Sequence, residues 1–363
     1  MVSSGFMAYD AVVIGLGAMG SAAAWRLARR GARVLGLERF EPAHERGSSH
    51  GLTRVIRQAY FEHPSYVPLV LRAYELWGEL EGETKRELFR RRTGALMIGR
   101  EESPVVRGAL ESARLHGLPH RLLGAPALRE RYPFMRFRDD DRAVEEPEAG
   151  VLFAEDGVLA MQDAARALGA ELRFGVRASI GEVEATRTVV TAGPWMPELV
   201  PALPLQVERQ VLFWFDAGEV QAPVPLFIWD YDGRVFYTIP DVAGHGVKVA
   251  FHHGGELTSP DRVRREVGPE EVEDMRRRLA QTVPPMDRPP RRTSVCLYTN
   301  MPDGHFALGS LPGRSDVIVA SPCSGHGFKF APVIGEILAD LALDGRTRHP
   351  IDLFRLDGRP PAP

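Results

Sequence analysis

Apolar and polar positions follow three rhythms along the chain. Near the start, Ala11-Val12-Val13-Ile14 is a short unbroken apolar run, as expected of a strand covered on both faces. It enters Gly15-Leu16-Gly17-Ala18-Met19-Gly20. An alanine-rich stretch then predicts a helix to about Arg30, closed by Gly31. Residues 32–37 predict a second strand ending at Glu38. In the middle of the chain, runs at 210–215, 234–240 and 247–252 are short, rich in Val, Phe, Tyr and Trp, and broken by Gly and Pro. They predict antiparallel strands of a separate lobe. Strict alternation over 247–252 sets Val247, Val249 and Phe251 on one face, with Lys248, Ala250 and His252 on the other. Residues 269–279 predict a helix, with Pro269 and acidic residues early and Arg276, Arg277 and Arg278 late, matching the helix dipole. The third rhythm is one of return. Apolar runs at 188–193 and 316–321 look like strands rejoining the first sheet, and the second leads through Gly325-His326-Gly327 into a helix to about Leu341.

The opening pattern carries a chemical meaning. Gly15, Gly17 and Gly20 allow a tight turn and close approach of backbone to a diphosphate facing a helix N-terminus. Glu38 stands where a carboxylate accepts hydrogen bonds from a ribose diol. Strand, helix, strand and acid in register point to a dinucleotide, with NAD and FAD both open at this level.

The totals exclude more than they assign. The 363 residues suit two domains, and 44% hydrophobic, 26% charged and net charge −3 describe an ordinary globular chain without a nucleic-acid or membrane-surface bias. The arginine clusters at 90–92 and 276–278 lie beside acidic residues and read as solvated helix faces. Two cysteines, Cys296 and Cys323, make no disulfide framework, and the scattered histidines give no metal spacing. No apolar run is long enough to span a membrane. The first eight residues do not read as a secretion signal, and Pro361-Ala362-Pro363 is not a peroxisomal address, so a cytoplasmic location is expected.

Lysine usage narrows the search. Of 45 basic residues only Lys85, Lys248 and Lys329 are lysines. Lys85 lies in a charged, solvated stretch, whereas Lys248 and Lys329 stand among glycine and histidine, where a compact point charge differs from an arginine fork. After Glu38 comes Gly47-Ser48-Ser49-His50-Gly51-Leu52-Thr53-Arg54-Val55-Ile56-Arg57, a loop through which backbone can pass close to a planar ligand. On a helical turn Arg54 and Arg57 would share a face.

This stretch resembles that of the monomeric sarcosine oxidase family of flavoproteins, which includes N-methyltryptophan oxidase. The similarity continues through Tyr66-Val67-Pro68-Leu69, Gln206 to Gln210, Phe236-Tyr237, Gly246 to His252, Ser294 to Thr299, Gly304-His305-Phe306 and Ser324 to Phe330. The resemblance implies an α/β (α+β two-lobed) fold. Residues 1–90, 145–205 and 305–363 would form an FAD-binding Rossmann-like βαβ domain, and 91–144 and 206–304 a mainly antiparallel-sheet substrate domain. It implies FAD, linked covalently through Cys296, although by itself a free cysteine reads as a small buried hydrophobe. Cofactor contacts would come from Gly15, Gly17, Ala18, Met19, Gly20, Glu38 and Arg39, from Ser48, Ser49, His50, Thr53 and Arg54, and from Ala178, Gly193 and Trp195. Gly325, His326, Gly327, Phe328 and Lys329 would complete that set.

Catalysis would fall to Lys248 beside the flavin where oxygen is activated, with Arg54 and His50 against the flavin, where a cation stabilises the reduced ring. Substrate would be held by Arg57 and Lys329 on its carboxylate, with Tyr237, His252, Ile228 and Tyr60 around it. Two departures from the family pattern bear on substrate and adenine contacts: residues 177–188 are shortened, and Ile228, with the bulky Trp229 beside it, stands where a methionine lines the family's pocket. The implied activity is oxidation of a secondary amino acid, such as sarcosine, by a monomer using oxygen and releasing hydrogen peroxide. The alternatives are an FAD-dependent amino acid dehydrogenase with another acceptor, a D-amino acid oxidase-like enzyme, a dinucleotide sensor without turnover, or an NAD dehydrogenase.

Overall fold

The computed structural model describes residues 9–220 and 222–356; the two ends read for targeting signals, 1–8 and 361–363, lie outside the described residues. Strand Tyr9–Ile14 pairs in parallel with Val34–Glu38 on one side and with Ala185–Val190 on the other. Helix Ala18–Arg29 connects the first two strands, which is the predicted βαβ unit. Arg314–Ser321 joins next to Ala185–Val190, and Glu171–Phe174 closes the other edge. Antiparallel Ala307–Leu311 makes the sixth strand. The tight turn after the first strand depends on Gly20: a Cβ there would sit 1.7 Å from the Gly15 carbonyl oxygen.

Helix Ala18–Arg29 packs on both Ala154–Ala167 and Ala331–Asp344, and Val67–Thr84 packs against the same two. Small residues on the first helix, Ala22, Ala23 and Ala24, are fully buried there, which is what lets the backbones approach. Lys85 caps Val67–Thr84 in a left-handed conformation and is exposed, as the charged stretch predicts.

The larger, nine-stranded sheet is mainly antiparallel. Gln206–Phe215 pairs with Arg292–Asn300, Val247–Phe251 and Leu257–Thr258; Arg234–Ile239 and Phe227–Tyr231 extend it to Ala95–Arg100 and Asp141–Glu146. Its two faces differ in kind. Phe213, Phe215, Trp229, Phe236, Val247 and Val249 pack with Met275 and Leu279 of helix Pro269–Thr282 into an apolar core. The other face carries Gln210, Leu212, Tyr237, Lys248, His252, Cys296 and Tyr298, whose cross-strand partners fix them in register. Trp229 therefore does not narrow the pocket, because alternation turns it to the face opposite Ile228.

A third, three-stranded sheet joins Thr53–Ile56, Gly150–Phe153 and Phe89–Arg90. It overturns two sequence expectations. Arg54 and Arg57 do not share a helical face, because β-branched Thr53, Val55 and Ile56 pair as a strand with Gly150–Phe153. The cluster at 90–92 is not a helix face either, since it begins at the end of Phe89–Arg90 and turns at Arg92 with φ 57°.

Candidate active site

A cavity opens at the carboxyl ends of the parallel strands, the place where open α/β sheets bind ligands. One wall comes from Ile14 to Met19, Leu37 to Phe40 and Thr191 to Trp195; the other comes from the polar face of the large sheet.

At the sheet end, backbone does most of the work. Helix Ala18–Arg29 begins at Gly17 without a capping side chain of its own, and the Ala18 N–H donates to Ser49 Oγ at 3.1 Å. Glu38 accepts from Leu16 N at 2.7 Å and from Phe40 N at 3.1 Å, which holds the second strand's end against the glycine turn. Arg39, Ala178, Gly193 and Trp195 line the outer part. The shortened 177–188 segment still supplies a wall, since Val176 N bonds Glu38 O at 2.8 Å and Arg177 to Ser179 face the cavity.

At the other end side chains dominate. Arg57 lies between the rings of Tyr60 and Phe61, 4.2 and 4.3 Å from their centroids. Its Nη2 donates to both carboxylate oxygens of Glu62, at 2.7 and 2.6 Å, and Nη1 donates to Ala59 O. Glu62 was not singled out in the sequence; its position five residues after Arg57 was the available signal. Burial would raise its carboxyl, but Arg57, then His326 and Lys329, hold it down at about 2. Lys329 Nζ donates to His326 O at 2.7 Å and to Tyr60 Oη at 3.4 Å. Burial first, then the Arg57 guanidinium, lowers the Lys329 ammonium to about 7. His326 is lowered to about 4, chiefly by burial; its Nδ1 lies 2.7 Å from Tyr60 Oη.

Between the two ends lies Cys296, buried, with Sγ 3.6 Å from Arg54 Nη2. Arg54 is fastened by the carbonyls of Ser48, His50 and Thr53. Tyr237, pushed up to about 12 mainly by burial, lines the cavity with Ile228, His252 and Tyr298.

Five expected residues stand behind this wall rather than in it: Gly20, His50, Thr53, Tyr60 and Lys248. Two of them change character. Burial, then Arg54 and Lys248, lowers His50 to about 3, so His50 is neutral and the cation nearest it is not its own but that of Arg54. Lys248 Nζ donates to Gly51 O and Thr53 O, both at 2.9 Å, and forms no salt bridge among the described residues. Burial, then Arg54, pushes its amine well below the ordinary value, so Lys248 is not the standing point charge that its sequence context suggests.

Residues 10–341 match the FAD dependent oxidoreductase family. The chain belongs to the FAD-dependent oxidoreductases. It is 43% identical to a monomeric sarcosine oxidase of Streptomyces avermitilis over 95% of this chain and 96% of that one. It is 34% identical to an N-methyl-L-tryptophan oxidase of Salmonella arizonae, over 96% and 99%. A variant of NikD, described as an unusual amino acid oxidase essential for nikkomycin biosynthesis, superposes with a TM-score of 0.81 at 25% identity, covering 95% and 96%.

The residues present fit the FAD of this oxidoreductase family. The N-terminus of Ala18–Arg29, where Ser49 Oγ takes only the Ala18 N–H, presents its positive end to a diphosphate, and Glu38 keeps lone pairs free for a ribose. Ser321 Oγ in the wall is buried without a partner among the described residues, a polar group that needs one.

Proposed function

We propose that this chain oxidises a secondary amino acid, an N-methyl amino acid such as sarcosine, and passes the electrons to oxygen. The observation that carries the reading is the convergence of Arg57, Lys329 and Cys296 on one cavity. The six-stranded, mainly parallel sheet then serves as the FAD-binding unit and the nine-stranded sheet as the substrate unit. Cys296 is the attachment point for the flavin, and the enzyme acts as a monomer.

The substrate carboxylate docks on Arg57 and Lys329, a fork and a point charge. Arg57 already holds Glu62, so docking shares an internal ion pair, and affinity is the difference between two charge-assisted contacts. His252, lowered well below its ordinary value by burial and then by His253, and His326 both stay neutral. The cations around the substrate are thus guanidiniums and Lys329, which favour an anionic carboxylate and disfavour a protonated amine. The amine reacts in its neutral form, with its lone pair free. When bound, FAD supplies the redox chemistry, taking a hydride equivalent from the carbon next to nitrogen and returning the electrons to oxygen as hydrogen peroxide. The imine product hydrolyses in water; an N-methyl amino acid gives formaldehyde and the free amino acid. Lys248, held on the Gly51 and Thr53 carbonyls, and Arg54, held on those of Ser48, His50 and Thr53, orient donors where negative charge develops.

The test is an anaerobic titration of the yellow protein with a panel of secondary amino acids, followed by a peroxide assay in air. Bleaching by an N-methyl amino acid and stoichiometric peroxide are expected. Bleaching without peroxide would assign a dehydrogenase, and no bleaching would remove the amine reading. Acid precipitation of the loaded protein tests attachment: colour stays with the polypeptide, is lost in Cys296→Ala and is retained in Cys323→Ala.

A further inference from the structure

Beyond the cavity wall, on the same sheet face as Cys296 and Tyr298, lies a carboxylate that the proposed reaction does not use. Glu208 stands opposite Tyr298 across the pairing of Gln206–Phe215 with Arg292–Asn300, and it is 5% exposed. A buried carboxylate is costly unless its oxygens are hydrogen-bonded, and these are. Oε1 accepts from Gly255 N at 2.7 Å. Oε2 accepts from Asn300 Nδ2 at 2.6 Å and lies 3.2 Å from His253 Nδ1. Burial would raise the Glu208 carboxyl, but His253, the Gly255 N–H and Asn300 outweigh it and hold it below the usual carboxylate range.

Two of these donors sit in the turn that follows His252. His253 has φ 66°, a left-handed conformation that a non-glycine residue adopts only when its surroundings impose it. The His253 ring lies 4.3 Å from the His252 ring and 5.3 Å from that of Tyr298. In front, His252 Nδ1 is 3.4 Å from Tyr298 Oη, and a Cβ on Gly325 would fall 2.8 Å from His252 Cε1. The His252 ring is thus packed on Gly325 ahead and on His253 behind, while His253 and Gly255 hang on one carboxylate.

We infer that Glu208 is a positioning residue of the substrate pocket: through the 253–255 turn it fixes the His252 ring against Tyr298 and so sets how well an amine substrate fits. The inference rests on the reading of this cavity as an amino acid site. It explains why a carboxylate is kept at a sheet position where an apolar residue would cost less to bury. The isosteric amide retains the geometry. A glutamine at 208 still accepts from Gly255 N, and its own NH2 can donate to His253 Nδ1 and, with the Asn300 amide turned over, to Asn300 Oδ1, an atom buried without a partner among the described residues.

The experiment compares Glu208→Ala, Glu208→Gln, His252→Ala and the double variant Glu208→Ala/His252→Ala as loaded holoenzymes. Flavin content, kcat and KM for the best amine, and the Kd of a simple carboxylate inhibitor are read for each. Glu208→Ala is expected to keep its flavin and raise KM about tenfold, the scale of a displaced pocket group. Glu208→Gln should stay within about twofold of wild type, since its hydrogen bonds can all be remade. In the His252→Ala background the Glu208→Ala effect should vanish, because a residue acting through another has nothing left to act on. An unchanged KM in Glu208→Ala, or two effects that simply add, would overturn the inference. If Glu208→Ala does not fold, His253→Ala and Asn300→Ala each remove one contact, and unchanged KM in both would overturn it equally. If no amine bleaches wild-type flavin, the pocket reading falls and this inference falls with it; normal bleaching with an unaffected Glu208→Ala removes this inference alone.

Discussion

The two ends of the cavity are built by different means. The dinucleotide end is made largely of backbone, a glycine turn and a helix terminus from residues 15–20, tied down by Glu38 and Ser49 at the Leu16 and Ala18 N–H groups. The substrate end is made of buried ionic side chains, Arg57, Glu62 and Lys329, gathered from two distant segments and balanced against one another. A site of backbone tolerates little change in shape and depends little on charge state, because most of its groups do not titrate. A side-chain site tolerates shape changes better and depends strongly on charge state.

The contrast can be broken most severely at Gly20. Gly20→Val would drive a side chain into the Gly15 carbonyl, and we expect it to abolish FAD binding, read as flavin absorbance per polypeptide. Retained flavin would mean that the turn can open, which the backbone description forbids.

At the substrate end, Arg57→Ala leaves Glu62 buried without its partner and should cost about 2–5 kcal/mol in binding of a carboxylate inhibitor. Glu62→Gln should act in the opposite direction, freeing the guanidinium and tightening the inhibitor. Equal affinities in both variants would place the substrate carboxylate elsewhere.

Lys248 joins the two ends, since its Nζ donates to the backbone at Gly51 and Thr53. Lys248→Met keeps bulk and removes the donor. Reoxidation by oxygen is expected to slow about 10²-fold, the scale of losing one preorganised donor, while reduction by amine changes much less. Stopped-flow timing of the two half-reactions checks it, and a wild-type reoxidation rate would remove Lys248 from the oxygen step.

The mildest test is pH. An anion binds better to protonated Lys329, whose value in the unliganded site is about 7. Inhibitor affinity should therefore be level below about pH 7 and fall as pH rises through it, by up to about tenfold per unit. Lys329→Arg, permanently charged, should flatten that fall. A profile indifferent to this substitution would show that Lys329 does not face the carboxylate.

Several of these features could be read from the chain itself. The βαβ unit, Glu38 after the second strand and the alternation over Val247–Phe251 are local, and the structure shows each where the pattern places it. Scarcity of lysine pointed to Lys248 and Lys329, because a residue type seldom used stands out wherever it survives. Folding decided what spacing cannot express. The charge states of His50 and Lys248 follow from burial among other cations, a property of three-dimensional neighbours. Arg54 lies on a strand, with Arg57 just past its end, because Gly150–Phe153 arrives to pair with Thr53–Ile56 from nearly a hundred residues away. Glu62 as the partner of Arg57, and Glu208 as the anchor behind His252, appear only when the chain has closed. Period and turn chemistry are written in neighbouring residues, whereas the energy of a buried charge depends on whatever the fold brings beside it.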